Sequence, residues 1–350
     1  MNKDSMLQKL ASDREAVIDV HTHVGISPRS YIDLGYPYCL SLEDLAIRMK
    51  ALGISCSVVF PFDSFYYALS RNPAKRVRTT GRISRFPYEL ENRNLCHEVY
   101  EIFPQYSDRF LPFAMFDPAR KQAEQVKLLE SLAGRYPLYG LKTVTSYSQA
   151  CVRDLLSRDG RRILDFAREL DLPVTIHTSV APGDPWANVF DILEVVSANP
   201  EVRFCLAHTC RFNRKALDAA GRLPNCFVDL SAFHIHCDLA VQNSPSVAAA
   251  EERFAADYRR PVQVLKRLAA SYPAVLCWGT DTPAYYYINR WTDERGAEHR
   301  TNLRCAWDTE AKALRRLDAR TIRRIACENP MRLVFGGRYA GSKPNVEEEK

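Results

Sequence analysis

Short apolar segments rich in β-branched residues return eight times along the chain, each followed by an amphipathic stretch, and this alternation restricts the fold more than any other feature. The segments are AVIDVHTH (16–23), ISCSVVFPF (54–62), FLPFAMFDP (110–118), LYGLKTV (138–144), LPVTIHTS (172–179), VRFCLAHT (202–209), CFVDLSAF (226–233) and AVLCWGTDTP (274–283). Most are nearly continuous in apolar residues, as strands covered on both faces are. The stretches between them carry helix ends. Ser41 with its capping-box partner Asp44 opens 41–53, and Gly53 closes it. The stretches 158–173 and 188–200 end at Pro173 and Pro200.

Strict strand–helix alternation without hairpins predicts a parallel sheet, and eight strands close a (β/α)8 barrel, the TIM barrel. The competing open, doubly wound sheet wants a Gly-rich turn after its first strand. His21-Thr22-His23-Val24-Gly25 stands there instead. The reading is one barrel domain over residues 1–340, with a polar tail, 341–350, that lacks an apolar anchor and is expected to be disordered. Two insertions, about 63–89 after the second strand and about 284–308 after the eighth, exceed ordinary loop length. Both leave the strand ends where such barrels carry their sites, so both are expected to act as lids. The stretch 309–330 reads as two helices or one bent helix.

Composition excludes several classes. The 350 residues are 46% hydrophobic and 26% charged, enough for a large core, and no run approaches the roughly 18 apolar residues of a membrane span. The first residues lack an apolar h-region, so no signal peptide is expected. Eleven cysteines without a CxxC pair predict buried, reduced thiols and a cytoplasmic location. A net charge of +6, evenly spread, does not argue for nucleic acid. Lys75, Arg76, Arg78 and Arg82, between Arg71 and Arg85 with no acidic residue among them, form either a solvated loop or an electropositive rim for an anionic substrate. Homo-oligomerisation is left open.

Chemistry concentrates at the predicted strand ends. Strand side chains alternate faces, so His21 and His23 point the same way, as a hydrogen-bonded structural pair or as a pair sharing one cation. His177, His208 and Asp281 also fall at strand ends, and a barrel would bring all five to one end of its axis. Three neutral imidazoles and a carboxylate with a position left open describe a catalytic zinc site, where the cation lowers the pKa of its water toward neutrality. Calcium and magnesium, which prefer oxygen ligands, fit poorly.

With these residues the sequence resembles the amidohydrolase superfamily, in particular the amidohydrolase-related branch of aminocarboxymuconate-semialdehyde decarboxylase-like enzymes. The resemblance runs from about residue 16 to 336. It is carried by Asp19-Val20-His21-Thr22-His23, His177, Ala207-His208-Thr209, Gly279-Thr280-Asp281-Thr282-Pro283, Glu328-Asn329-Pro330-Met331-Arg332-Leu333 and Asp108-Arg109-Phe110-Leu111-Pro112-Phe113. It implies one zinc ion held by His21, His23, His177 and Asp281, with His208 orienting or deprotonating a water and Asp281 doubling as proton acceptor. Lys142 occupies the place where binuclear relatives carry a bridging carboxylated lysine; it also reads as a substrate-carboxylate contact or a structural ion pair.

His234 and His236 mimic a second metal pair without further ligands, so His234 reaches substrate or both are local structure. Tyr285, Tyr286, Tyr287, Arg290 and Trp291 are expected to form an aromatic and cationic wall over the substrate, or a packed helix. His97 and His299 receive no role. The leading function is a metal-dependent hydrolase acting on a carbonyl, amide or lactone of a small acidic molecule. The alternative is a metal-dependent non-oxidative decarboxylase of an aromatic-derived or unsaturated acid; a metal-free binding barrel is a third.

Overall fold

All eight expected strands form, and they curl into one sheet. The computed structural model describes residues 2–27, 38–62, 85–293 and 295–341. Strand β1 (Ile18–Ser27) is followed by a short β2 (Tyr38–Leu40), then β3 (Cys56–Pro61), β4 (Phe110–Met115), β5 (Gly140–Thr143), β6 (Val174–Ile176), β7 (Phe204–Leu206), β8 (Cys226–Asp229) and β9 (Leu276–Cys277). The order across the sheet is β2-β1-β3-β4-β5-β6-β7-β8-β9, parallel throughout except that β2 runs antiparallel to β1.

The last strand returns to the first. Val20 donates its amide to Trp278, Asp281 donates to His21, and His23 donates to Thr282 at 2.7 Å, with a parallel bridge between Thr22 and Thr282. These bonds close the barrel and fix Asp281 beside His21-Thr22-His23 of β1. Strands β3 to β8 are buried at every residue, which accounts for their continuous apolar sequences. At Gly140 a Cβ would stand 2.3 Å from the Phe113 ring, so only glycine lets β4 and β5 pack at that level.

Helices cover the outside as their end signals predict. In the helix Leu42–Leu52, the Ser41 hydroxyl oxygen accepts the Asp44 amide at 3.0 Å, and Gly53 ends the helix at φ 62°. The stretch after 308 breaks into Thr309–Leu314, Ala319–Arg323 and Asn329–Phe335, with one widened turn, Arg324–Glu328, between the last two. Asn329 of the Asn-Pro motif donates its side-chain amide to the carbonyls of Leu276 and Pro273, tying this end of the chain to β9.

The insertion after the eighth barrel strand is a hairpin, β10 (Tyr286–Thr292) paired antiparallel with β11 (Glu298–Arg304), and not a helix. Most of the Arg-rich insertion, including Lys75, Arg76, Arg78 and Arg82, and the tail from 342 onward lie outside the described residues; Arg85 pairs with Glu89. The eleven cysteines form no disulfide, and eight of them are buried. Among the described residues no helix is long and apolar enough to cross a membrane.

Candidate metal centre

The C-terminal ends of the barrel strands surround a cavity of about 270 Å³, and His21, His23, Lys142, His177, His208 and Asp281 all line it. Three of them offer ligand atoms within 4.8 Å of one another: His21, His23 and Asp281. Asp281 Oδ1 lies 3.4 Å from Nε2 of His21 and 3.4 Å from Nε2 of His23, so one carboxylate oxygen and two imidazole nitrogens converge. Gly279 lets the chain reach that position, because a Cβ there would come within 3.0 Å of the His21 Cβ.

The donor set suits a transition-metal ion. His21 Nδ1 donates to Asp229 Oδ2 at 2.8 Å, which leaves Nε2 without a hydrogen and aimed at Asp281. Burial pushes His23 down to about 4, against the pull of Asp281, so it is neutral at pH 7 with its lone pair available. For Asp281, burial would raise the carboxyl, but its contact with His23 and the charges around it, Lys142 among them, outweigh burial and hold it below its ordinary range. The same contest, won by His21, Lys142 and Ser231, holds Asp229 below its ordinary range. Asp19, two residues earlier on β1, is pushed by burial up to about 7 despite bonds from Thr280 and the His21 amide.

His177 and His208 belong to a hydrogen-bonded chain along the same wall. A guanidinium can only donate, so Arg211 Nη2 gives a hydrogen to His177 Nε2 at 2.9 Å. His177 Nδ1–H then donates to His208 Nε2 at 3.0 Å, and His208 Nδ1–H donates to the Ser231 oxygen at 2.9 Å. Ser231 in turn donates to Asp229 Oδ1. Both imidazoles are driven well below their ordinary range, first by burial and then by the Arg211 charge, so they carry one hydrogen each and this relay fixes which nitrogen bears it. His177 therefore shares the cavity with both nitrogens engaged in hydrogen bonds.

Arg211 and His208 are aimed inward by an unusual backbone. His208, Thr209, Cys210, Arg211 and Phe212 all have positive φ, between 48° and 61°, without a glycine among them. Such residues are strained and persist only where the surroundings over-determine them. Here the Asp229 carboxylate takes the His208 amide, and the Ala248 and Phe254 amides donate to the carbonyls of Arg211 and Phe212.

Lys142 is fully buried, its Nζ 3.4 Å from His21 Nε2 and 4.8 Å from the centre of the Phe60 ring. Two side chains expected at the substrate sit elsewhere. His234 bonds Glu310 at 2.8 Å and does not line the cavity, whereas His236 does. The two occupy a helix, Phe233–Val241, on which residues two apart point in nearly opposite directions, not a strand, on which they would share a face. Arg290 is exposed on β10, on the face opposite Tyr287 and the buried Asn289. Of the aromatic group only Tyr287 lines the cavity. His97 and His299 pair with Glu101 and Asp293 outside it. Asp229, Ser231 and Arg211 went unnoticed in the sequence; an aspartate at a strand end inside an apolar run was the available signal for the first.

The family described as Amidohydrolase matches residues 18–336. No curated protein sequence matches the chain. Among solved structures, a probable 2-pyrone-4,6-dicarboxylic acid hydrolase from Acinetobacter baumannii with citric acid bound superposes with TM-score 0.55 at 15% identity, over 91% of this chain and 99% of that one. A 2,6-dihydroxybenzoate decarboxylase from Rhizobium gives 0.55 at 14%, over 92% and 99%. A zinc-bound amidohydrolase from Burkholderia multivorans gives 0.55 at 16%, over 93% and 99%. At these identities the likeness is one of fold.

Proposed function

The chain belongs to the Amidohydrolase family, and from that premise we propose that it is a metal-dependent hydrolase of a small, anionic organic substrate carrying a carbonyl, amide or lactone. The observation that carries this reading is the convergence of His21 Nε2, His23 Nε2 and Asp281 Oδ1, with His21 locked in the required tautomer by Asp229. Zinc fits a set dominated by neutral imidazoles. His177 is the fourth proposed ligand, through the Nε2 lone pair that Arg211 now occupies. When bound, such an ion polarises a carbonyl and lowers the pKa of water toward neutrality.

The chain's own residues handle orientation and protons. Ser231, and through it Asp229, takes the hydrogen of His208 Nδ1 and leaves Nε2, which accepts from His177 Nδ1–H, as the basic nitrogen of this relay. Asp281 lies within reach of both first-strand histidines and accepts a proton at its outer oxygen. Lys142 places a fixed positive charge on the floor beside His21, which favours developing negative charge on the reacting oxygen.

The same floor would also serve loss of CO₂ from a bound acid, so the deciding experiment follows both products. Purified protein loaded with zinc is screened against lactones, amides and aromatic acids, with proton release (lactones), ammonia or amine release (amides) and CO₂ release recorded in parallel. Proton or amine release without CO₂ is the expected result. CO₂ release would overturn the hydrolase reading and establish the lyase.

A further inference from the structure

Arg211 holds a positive charge, 9% exposed, that no carboxylate of the described residues meets within 4 Å. A buried ion without a counter-ion is expensive, and arginine does not shed its proton to avoid the expense. The protein nonetheless spends five left-handed residues to aim it into the cavity. Among the described residues three of its five N–H groups are used: Nε donates to the Thr178 carbonyl at 2.7 Å, one hydrogen of Nη1 goes to His236, and one of Nη2 goes to His177. Each terminal nitrogen keeps one hydrogen. Two parallel donors on a fixed guanidinium match the two oxygens of a carboxylate.

The surroundings define the rest of the ligand. The helix Phe233–Val241 presents Ile235 and Leu239 to the cavity, and Tyr147 and Tyr287 line it as well, with Tyr147 stacked on the His177 ring at 6.2 Å between centres. This wall receives an apolar or flat body. The rings of His177, His208 and His21 follow in sequence, 4.7 Å and 5.2 Å apart, from the Arg211 end toward the metal-ligating end.

We propose that Arg211 is the specificity-determining residue of this cavity, binding by its two remaining hydrogens a carboxylate of the ligand, so that the substrate is an organic acid with a flat or apolar body. That this acid is the molecule transformed rests on the function proposed above; the carboxylate subsite does not.

Benzoate and benzamide, alike in shape and different in charge, are the probes, titrated against the zinc-loaded protein by ligand-observed NMR, with zinc content measured on each sample. The wild type is expected to bind benzoate at least tenfold more tightly than benzamide. Arg211→Met is expected to erase that preference while leaving benzamide binding and zinc content unchanged. Arg211→Lys, which keeps the charge and loses the fork, is expected to lose at least threefold for benzoate and carries the test if the methionine variant does not fold. Undiminished benzoate binding in these variants would overturn the proposal, as would inorganic phosphate displacing benzoate at equal concentration. A protein that binds no zinc yet shows the Arg211-dependent preference refutes the hydrolase reading alone; one that binds zinc without the preference refutes this proposal alone.

Discussion

Asp229, on the seventh barrel strand, accepts a 2.8 Å hydrogen bond from Nδ1 of His21 on the first, so two strands with only β9 between them jointly set one imidazole. Asp229 is fully buried and its other oxygen serves Ser231 and the His208 amide. Asp229→Asn leaves the shape and removes the charge that fixes the His21 tautomer. Zinc affinity, measured by competition with a chromophoric chelator, should fall roughly 10- to 100-fold. An unchanged affinity would mean that Asp229 is packing and nothing more.

His208 is expected to move protons without holding the ion. His208→Asn should keep zinc at the wild-type content and lower kcat roughly 100-fold or more. Ser231→Ala breaks the link to Asp229 and should fall between wild type and that variant, with KM little changed. Loss of zinc in step with activity would make His208 a ligand and bring Lys142 back as the bridge of a binuclear centre.

One lone pair on His177 faces two claims, from Arg211 and from the ion. His177→Ala should weaken zinc binding, whereas Arg211→Met, by withdrawing the competing donor, should leave it equal or tighter. Calorimetric titration of zinc into the chelated variants separates the two. Weaker zinc binding in Arg211→Met would show that the guanidinium supports the ligand instead of competing for it.

The cavity histidines also predict acid sensitivity. Burial lowers His23 to about 4 and His236 to about 3, and drives His177 and His208 in the same direction. An unfolded histidine titrates near about 6.5. Below that pH the unfolded chain takes up protons that the folded one refuses, so stability is full above about 6.5 and is lost as pH falls toward the folded values. Asp19, raised to about 7, acts with the opposite sign over the same window, as do the less buried His234, Glu98 and Asp238, but the four cavity histidines outweigh them. For metal-free protein, Tm should therefore fall between about pH 6.5 and pH 4, and His236→Gln should flatten the fall. A Tm that holds or rises across that range would contradict the assigned neutral state.

The strands were legible because a barrel strand is buried on both faces and so writes itself as an apolar run, as in β3 and β4. His21, His23, His208 and Asp281 were legible because each stands at the end of such a run. Asp229 was hidden inside one, since nothing local to Cys226–Asp229 tells that its partner is 208 residues away. Arg211 was hidden for another reason: its aim depends on a left-handed turn that the sequence His208–Phe212, lacking glycine, does not announce. His236 lines the cavity and His234 does not because Ala232, at φ 51°, opens a helix on which residues two apart diverge, and nothing in Ser231–Cys237 announces that start.

X-ray absorption at the zinc edge of the loaded protein, read together with zinc content, tests the central claim most directly. The account predicts one zinc per chain, a first shell of nitrogen and oxygen only at about 2.0–2.1 Å with imidazole scattering behind it, and loss of that signal in His23→Ala. A sulfur shell near 2.3 Å, which would place the ion on one of the eleven cysteines, or an unaltered spectrum in His23→Ala, would contradict it.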